Sequence, residues 1–160
     1  MGGTTHPALK PRTLPAPSDQ GAATMPTRPA RPPRRLDLTA LYDLHYHHYL
    51  RYAELLLRRA DARHAVDDAF DTLAETWQQI LSTSSPAACA WQAVRDRVRA
   101  LADPARLRPT AHLDPKLQDA LLLHTVLNLS AGVIADLTGV EAANVHVHLR
   151  ALTSPPSPLF

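Results

Sequence analysis

The side chains best equipped for chemistry near the C-terminal end are Asn144, His146, His148 and Arg150, crowded into one short run. An amide, two imidazoles and a guanidinium suit hydrogen bonding to base edges and phosphates. A second set is Arg95, Arg97 and Arg99 with Trp91. Basic groups beside an aromatic suit a single-stranded backbone and an unstacked base. Trp91 also lies on an apolar stripe, where an aromatic is more ordinarily core. The third set is acidic. Asp67, Asp71 and Glu75 recur every four residues, with Asp68 beside them. On a helix they form one edge, at a cost of about 0.2–0.5 kcal/mol per like-charged pair. Arg63 is placed to offset Asp67 only. The edge reads equally as a surface for a basic partner and as a solvated face that salt screens cheaply.

Nine histidines raise the question of a metal. His45, His47 and His48 cluster, and His146 and His148 are two apart. Helical neighbours two apart do not share a face, and no Cys or acid completes a tetrahedral set. No metal and no cofactor is expected. A pH response is the better reading, because histidine gains charge near neutrality. Lowering the pH toward about 6 is then expected to strengthen any DNA binding. Cys89 is alone and reads as a small buried residue, with no disulfide partner in the chain. No phosphate-binding loop, nucleophile elbow or paired-carboxylate site is present, so no enzymatic activity is expected.

These side chains need helices to position them. The apolar period predicts a first helix from about Asp37 to Arg59, with Leu38, His45, Tyr49, Tyr52 and Leu56 inward. A second runs from Asp61, as N-cap, to Leu81; Val66, Phe70, Leu73 and Trp77 mark its stripe. Ser85 and Pro86 open a third, with Trp91, Val94, Val98 and Leu101 on its buried face. Residues 103–112 read as a linker. Asp114 and Pro115 open a fourth helix, apolar almost all round through Leu127. Ser130 caps a short fifth, Gly139 turns the chain, and a sixth runs from about Glu141 to Leu152. The expected fold class is all-α, with two small helical modules at 37–102 and 113–152. The Pro- and Arg-rich stretch 1–35 reads as a disordered tail and 153–160 as a second tail. Met25 is a second candidate start.

Ala135, Gly139 and Val145 have the spacing of a helix-turn-helix. The small Ala admits the second helix, Gly takes a left-handed turn, and Val packs the second helix back. The run LSAGVIADLTGVEAANVHVHLRAL over 129–152 resembles, without gaps, the region-4 helix-turn-helix of sigma-70-family sigma factors of the extracytoplasmic-function group. LDPKLQDALLLHTVLN is similar to that family's preceding helix. LYDLHYHHYLRYAELLLRRADARHAVDDAFDTL and SPAACAWQAVRDRVRAL resemble its region 2 and the start of the next helix. The resemblance spans roughly residues 38–152. It implies a region-2-like module that binds core RNA polymerase and melts the −10 element, and a region-4-like module that reads the −35 element. By that resemblance, Asp67, Asp68, Asp71 and Glu75 are the polymerase-binding candidates. Asn144, His146, His148 and Arg150, with Arg95, Arg97 and Arg99, are the DNA-binding ones. An anti-sigma factor is a further partner that the family allows.

The chain also departs from the family. His146 and His148 stand where Lys and Arg are usual, and Asp103-Pro104 ends the third helix early. Residues 113–152 hold Lys116 and Arg150 against Asp114, Asp119, Asp136 and Glu141, a net acidic reader. DNA affinity rests heavily on neutralised phosphates, so this reader binds weakly alone, and tethering to polymerase would compensate. Most of the excess basic charge lies in residues 1–36, where Arg34 and Arg35 are candidates for nonspecific phosphate contacts. No apolar run is long enough for a membrane span and no apolar signal core begins the chain, so no membrane partner and a cytoplasmic location are expected. Two other readings remain: a sigma-like interaction protein that does not direct initiation, and a dimeric helix-turn-helix regulator using the apolar surplus at Leu122, Leu123 and Val126.

Overall fold

The computed structural model describes Gly2, Gly3 and residues 35–154. The expectations for the N-terminal tail and for Met25 therefore lie outside the described residues, apart from Gly2, Gly3 and Arg35. So does the chain beyond Ser154.

The described residues are helical, without a strand. Helix α1 is Leu36–Leu56, α2 is Arg59–Ile80 and α3 is Pro86–Leu101. A single turn, α4, covers Pro104–Leu107. Helix α5, Pro115–Leu121, runs into a π-helical turn at Leu122–Val126. The last two are α6, Ala131–Thr138, and α7, Ala142–Thr153. No helix among the described residues is long and apolar enough to cross a membrane.

Local chemistry sets most of these boundaries. Ser85 caps α3 by accepting from the Ala88 amide at 3.2 Å, with Pro86 in the first turn. Asp114 accepts from Lys116 at 2.9 Å and Ser130 from Val133 at 3.3 Å. Gly139 closes α6 at φ 65°, the left-handed region that only glycine enters without a Cβ penalty. Helix α2 differs from the expectation. It begins at Arg59, and its N-cap position is Arg58, without a side-chain cap. Asp61 is an acid in the first turn, where it favours the helix dipole.

The segment 103–112 is more ordered than a linker. Asp103 caps α4, and Arg106 donates to the carbonyls of Leu55 and Leu57 at the end of α1. The fourth helix is also shorter than its apolar run. The switch to π geometry lets both Leu123 and Leu127 bury, while Val126 is left half out. Leu101 likewise ends up exposed, because α3 stops there before another turn can cover it.

Helices α1, α2 and α3 pack around Tyr49, Tyr52, Phe70, Trp77, Trp91, Val94 and Val98. Trp91 meets Tyr52 edge-on at 4.8 Å between ring centroids, so its core reading holds. The same apolar cluster continues without a break into Leu123, Leu127, Ile134, Leu137 and Val145. Helix α3 is the shared wall, packed against α2 and against α6. Fully burying each large aliphatic or aromatic side chain of this kind contributes about 1.5–3 kcal/mol.

Candidate functional site

Helices α6 and α7 form a tight hairpin around Gly139. Val145 is 3% exposed and packs α7 onto α6 with Ile134 and Leu137. The Gly139 amide bonds Ala135 O at 2.9 Å. The turn also sits on the start of α3: Ser85 Oγ donates to Gly139 O at 3.4 Å, and a Cβ on Gly139 would fall 2.7 Å from Ala88 Cα. The glycine thus answers two demands, a positive φ and a close approach of backbone to backbone.

Burying Val145 turns the opposite face of α7 outward. Asn144, His146, Val147 and Arg150 are exposed, and His148 is half-buried. Asn144, Val147 and His148 also line a cleft of about 1060 Å³. Its other walls come from α3, through Trp91, Gln92 and Arg95, and from the α5 end, through Lys116. Two of the α7 candidates, Asn144 and His148, therefore share this cleft with one basic candidate of α3, Arg95, while His146 and Arg150 lie outside it.

The three arginines of α3 have separate fates. Arg95 and Arg99 are 16% and 17% exposed, and both donate to Asp119 of α5. Arg99 reaches Asp119 Oδ1 at 2.6 Å and Gln118 Oε1 at 3.1 Å. Tyr52 Oη of α1 donates to the same Asp119 Oδ1 at 2.9 Å. Burial works most strongly against the Arg99 charge, but the hydrogen bond to Asp119, joined by the electrostatic pull of Tyr52 and Asp119, together outweighs it and holds the pKa above its ordinary value. Burial, joined by the negative charge of Asp119, pushes the Tyr52 hydroxyl up well beyond the ordinary tyrosine range, so it remains a donor. Only Arg97 stands out from the surface, in a half-exposed pair with Asp68 at 3.0 Å.

The acids of α2 differ in exposure and in contacts. Asp67 accepts from Tyr42 Oη at 2.8 Å, and Asp68 takes Arg97. Asp71 is half-buried and Glu75 exposed. Arg35, the described member of the basic pair ahead of α1, bonds Gln78 and lies 3.5 Å from Asp37.

His45, His47 and His48 lie together on α1, with the His47 and His48 ring centroids 5.7 Å apart. His45 is buried beside Tyr49. Burial lowers its pKa, with a smaller push from His48 and an opposing pull from Asp136 of α6. His48 is lowered by burial, then by His47 and Arg51. No group of three or more metal-ligating side chains gathers among the described residues.

The Asp119 cluster escaped the sequence reading. Its one signal was an acid, beside the polar Gln118, inside the mostly apolar run from Leu117 to Leu123. An acid in such a place is buried, and a buried acid needs cations.

Comparison with protein-family models, with curated proteins and with solved structures gave no match.

Proposed function

We propose that this chain is a short sigma-like protein that binds core RNA polymerase through α2 and aims α7 at promoter DNA. The observation that carries the reading is the α6–α7 hairpin. Its left-handed glycine and buried Val145 turn Asn144, His146 and Arg150 outward, as a helix entering a major groove requires. The acids of α2, half-buried at Asp67, Asp68 and Asp71 and exposed at Glu75, are the surface assigned to a basic partner such as a polymerase clamp. The family resemblance over roughly 38–152 supports both assignments.

The test is co-elution with purified core polymerase. The full chain is expected to travel with core, and Asp71→Lys with Glu75→Lys is expected to release it. A chain that never enters the polymerase peak contradicts the reading.

One observation favours a second reading, in which the chain binds polymerase without directing initiation. Arg95 and Arg99 are engaged by Asp119, and α7 keeps a single arginine. Such a surface is poorly equipped to neutralise phosphates. Run-off transcription with purified core separates the two readings: the initiating form yields promoter-dependent transcripts, and the non-initiating form yields none.

A further inference from the structure

Asp119 is a surface-type residue in a core position. Its side chain is 8% exposed, and donors converge on it from two other helices: Tyr52 of α1, and Arg95 and Arg99 of α3. Two guanidiniums and a hydroxyl around one anion are also the donor set that holds a phosphate, because a guanidinium fork fits carboxylate and phosphate oxygens alike. The edge of this cradle opens onto the cleft whose far wall carries Asn144 and His148. A cleft of about 1060 Å³ takes a compact ligand, not a double helix.

The element that supplies the carboxylate is weakly built. Helix α5 has seven residues and passes at once into a π turn, a geometry that often marks functional sites. Beyond the turn, Asn128 sits at φ 56°, a backbone state uncommon for a residue with a side chain.

We propose that Asp119 occupies, within the chain, a nucleic-acid phosphate site made by Arg95, Arg99 and Tyr52, and that DNA takes the site when α5 lifts. The partner in this inference rests on the sigma-like reading; the cradle itself does not. A polyphosphate strand displaces the carboxylate because it gains from released counterions, whereas a single inorganic phosphate has no such gain. The closed form therefore withholds two of the three basic groups of α3. Arg97, outside the cradle, contacts DNA in either form.

The experiment measures binding of a labelled single-stranded oligonucleotide to the full-length chain across a salt series. Asp119→Asn keeps an acceptor but removes the competing charge. It is expected to tighten binding about tenfold at low salt. It is also expected to steepen the slope of log K against log salt by about 1.4, the value for two added phosphate contacts on a single strand. Arg95→Gln with Arg99→Gln, placed in the Asp119→Asn background, is expected to restore the wild-type affinity and slope. Inorganic phosphate in the same titration is expected to compete with the oligonucleotide no better than chloride at equal ionic strength.

A folded Asp119→Asn chain with unchanged affinity and slope overturns the proposal, and so does a gain that survives loss of both arginines. Should Asp119→Asn lose its helical circular dichroism, amide hydrogen exchange of the wild-type chain decides. DNA is expected to speed exchange across 115–121 while α1 stays protected, and unchanged or slower exchange there overturns the proposal. Co-elution with core polymerase, run in parallel, keeps the two claims apart. A DNA gain without polymerase binding sinks the sigma-like reading and leaves the cradle standing; polymerase binding without the gain does the reverse.

Discussion

Tyr49 and Tyr52 lie one helical turn apart on α1, both fully buried, and their hydroxyls have opposite circumstances. Tyr52 Oη donates to Asp119, while Tyr49 Oη has no hydrogen-bond partner among the described residues. A hydrogen bond to a charged acceptor contributes about 1.5–3 kcal/mol, whereas an unmet buried hydroxyl is a cost. Tyr52→Phe is therefore expected to lower unfolding free energy by about 1.5–3 kcal/mol. Tyr49→Phe is expected to leave it unchanged or raise it by up to about 1 kcal/mol. Urea denaturation of the two variants checks the contrast. The pH behaviour of His45 follows from its burial. Its folded pKa lies below the unfolded value of about 6.5, so the unfolded chain binds the proton first. The stability from a neutral His45 is complete above about pH 6.5 and is lost as the pH falls through that value. His48, also lowered, adds in the same direction, and Asp136 of α6 pulls against it by favouring the His45 charge. The melting temperature is expected to drop between about pH 7.5 and about pH 5.5, with a smaller drop in His45→Gln. A flat melting curve over that range contradicts the argument.

At the scale of the element, the decisive position is Gly139. A side chain there meets a positive φ and the backbone of α3 together. The left-handed conformation alone costs about 1–2 kcal/mol for a residue with a Cβ. Contact with the Ala88 backbone cannot be relieved by turning a flexible side chain. Gly139→Ala is expected to cost more than about 2 kcal/mol. It should also pull the α6–α7 hairpin away from α3, seen as faster amide exchange across 131–138. The φ half of this was legible from the glycine between two apolar runs. The α3 half was not, because Ser85 and Ala88 lie some fifty residues earlier in the chain. The same division runs through the other elements. Ser85, Asp114 and Ser130 announce their helices, since a cap bonds amides only two or three residues away. Arg59 opens α2 without any such group, and the nearby Asp61 points to a start two residues later than the structure has. The π turn after α5 follows from how Leu123 and Leu127 find the core, which a regular period does not encode.

At the scale of the whole molecule, α3 joins what the sequence divides. The apolar cluster runs from Leu38 to Val145, and the Asp119 cluster ties α1, α3 and α5 together by charge. Nothing in local periodicity predicts this link: Asp119 finds Arg99, Arg95 and Tyr52 at separations of 20, 24 and 67 residues. Residues 35–154 are accordingly expected to unfold in one cooperative transition, with equal calorimetric and van't Hoff enthalpies. Two resolved transitions would show that the helices before and after the 103–112 segment are independent. Breaking the buried ion cluster should be felt throughout. Asp119→Ala leaves two guanidiniums buried without their anion and is expected to cost about 3–5 kcal/mol, lowering a single melting transition instead of splitting it.

The account as a whole stands on α7 acting as a promoter reader when the chain is held on polymerase. Its most direct measurement is run-off transcription by purified core polymerase over a library of upstream sequences, with and without the chain. Discrete start sites are expected to appear with the wild-type chain. Asn144→Ala with Arg150→Ala, folded and still bound to core, is expected to abolish them. Transcripts that ignore the upstream sequence, or that survive the double substitution unchanged, would contradict the account.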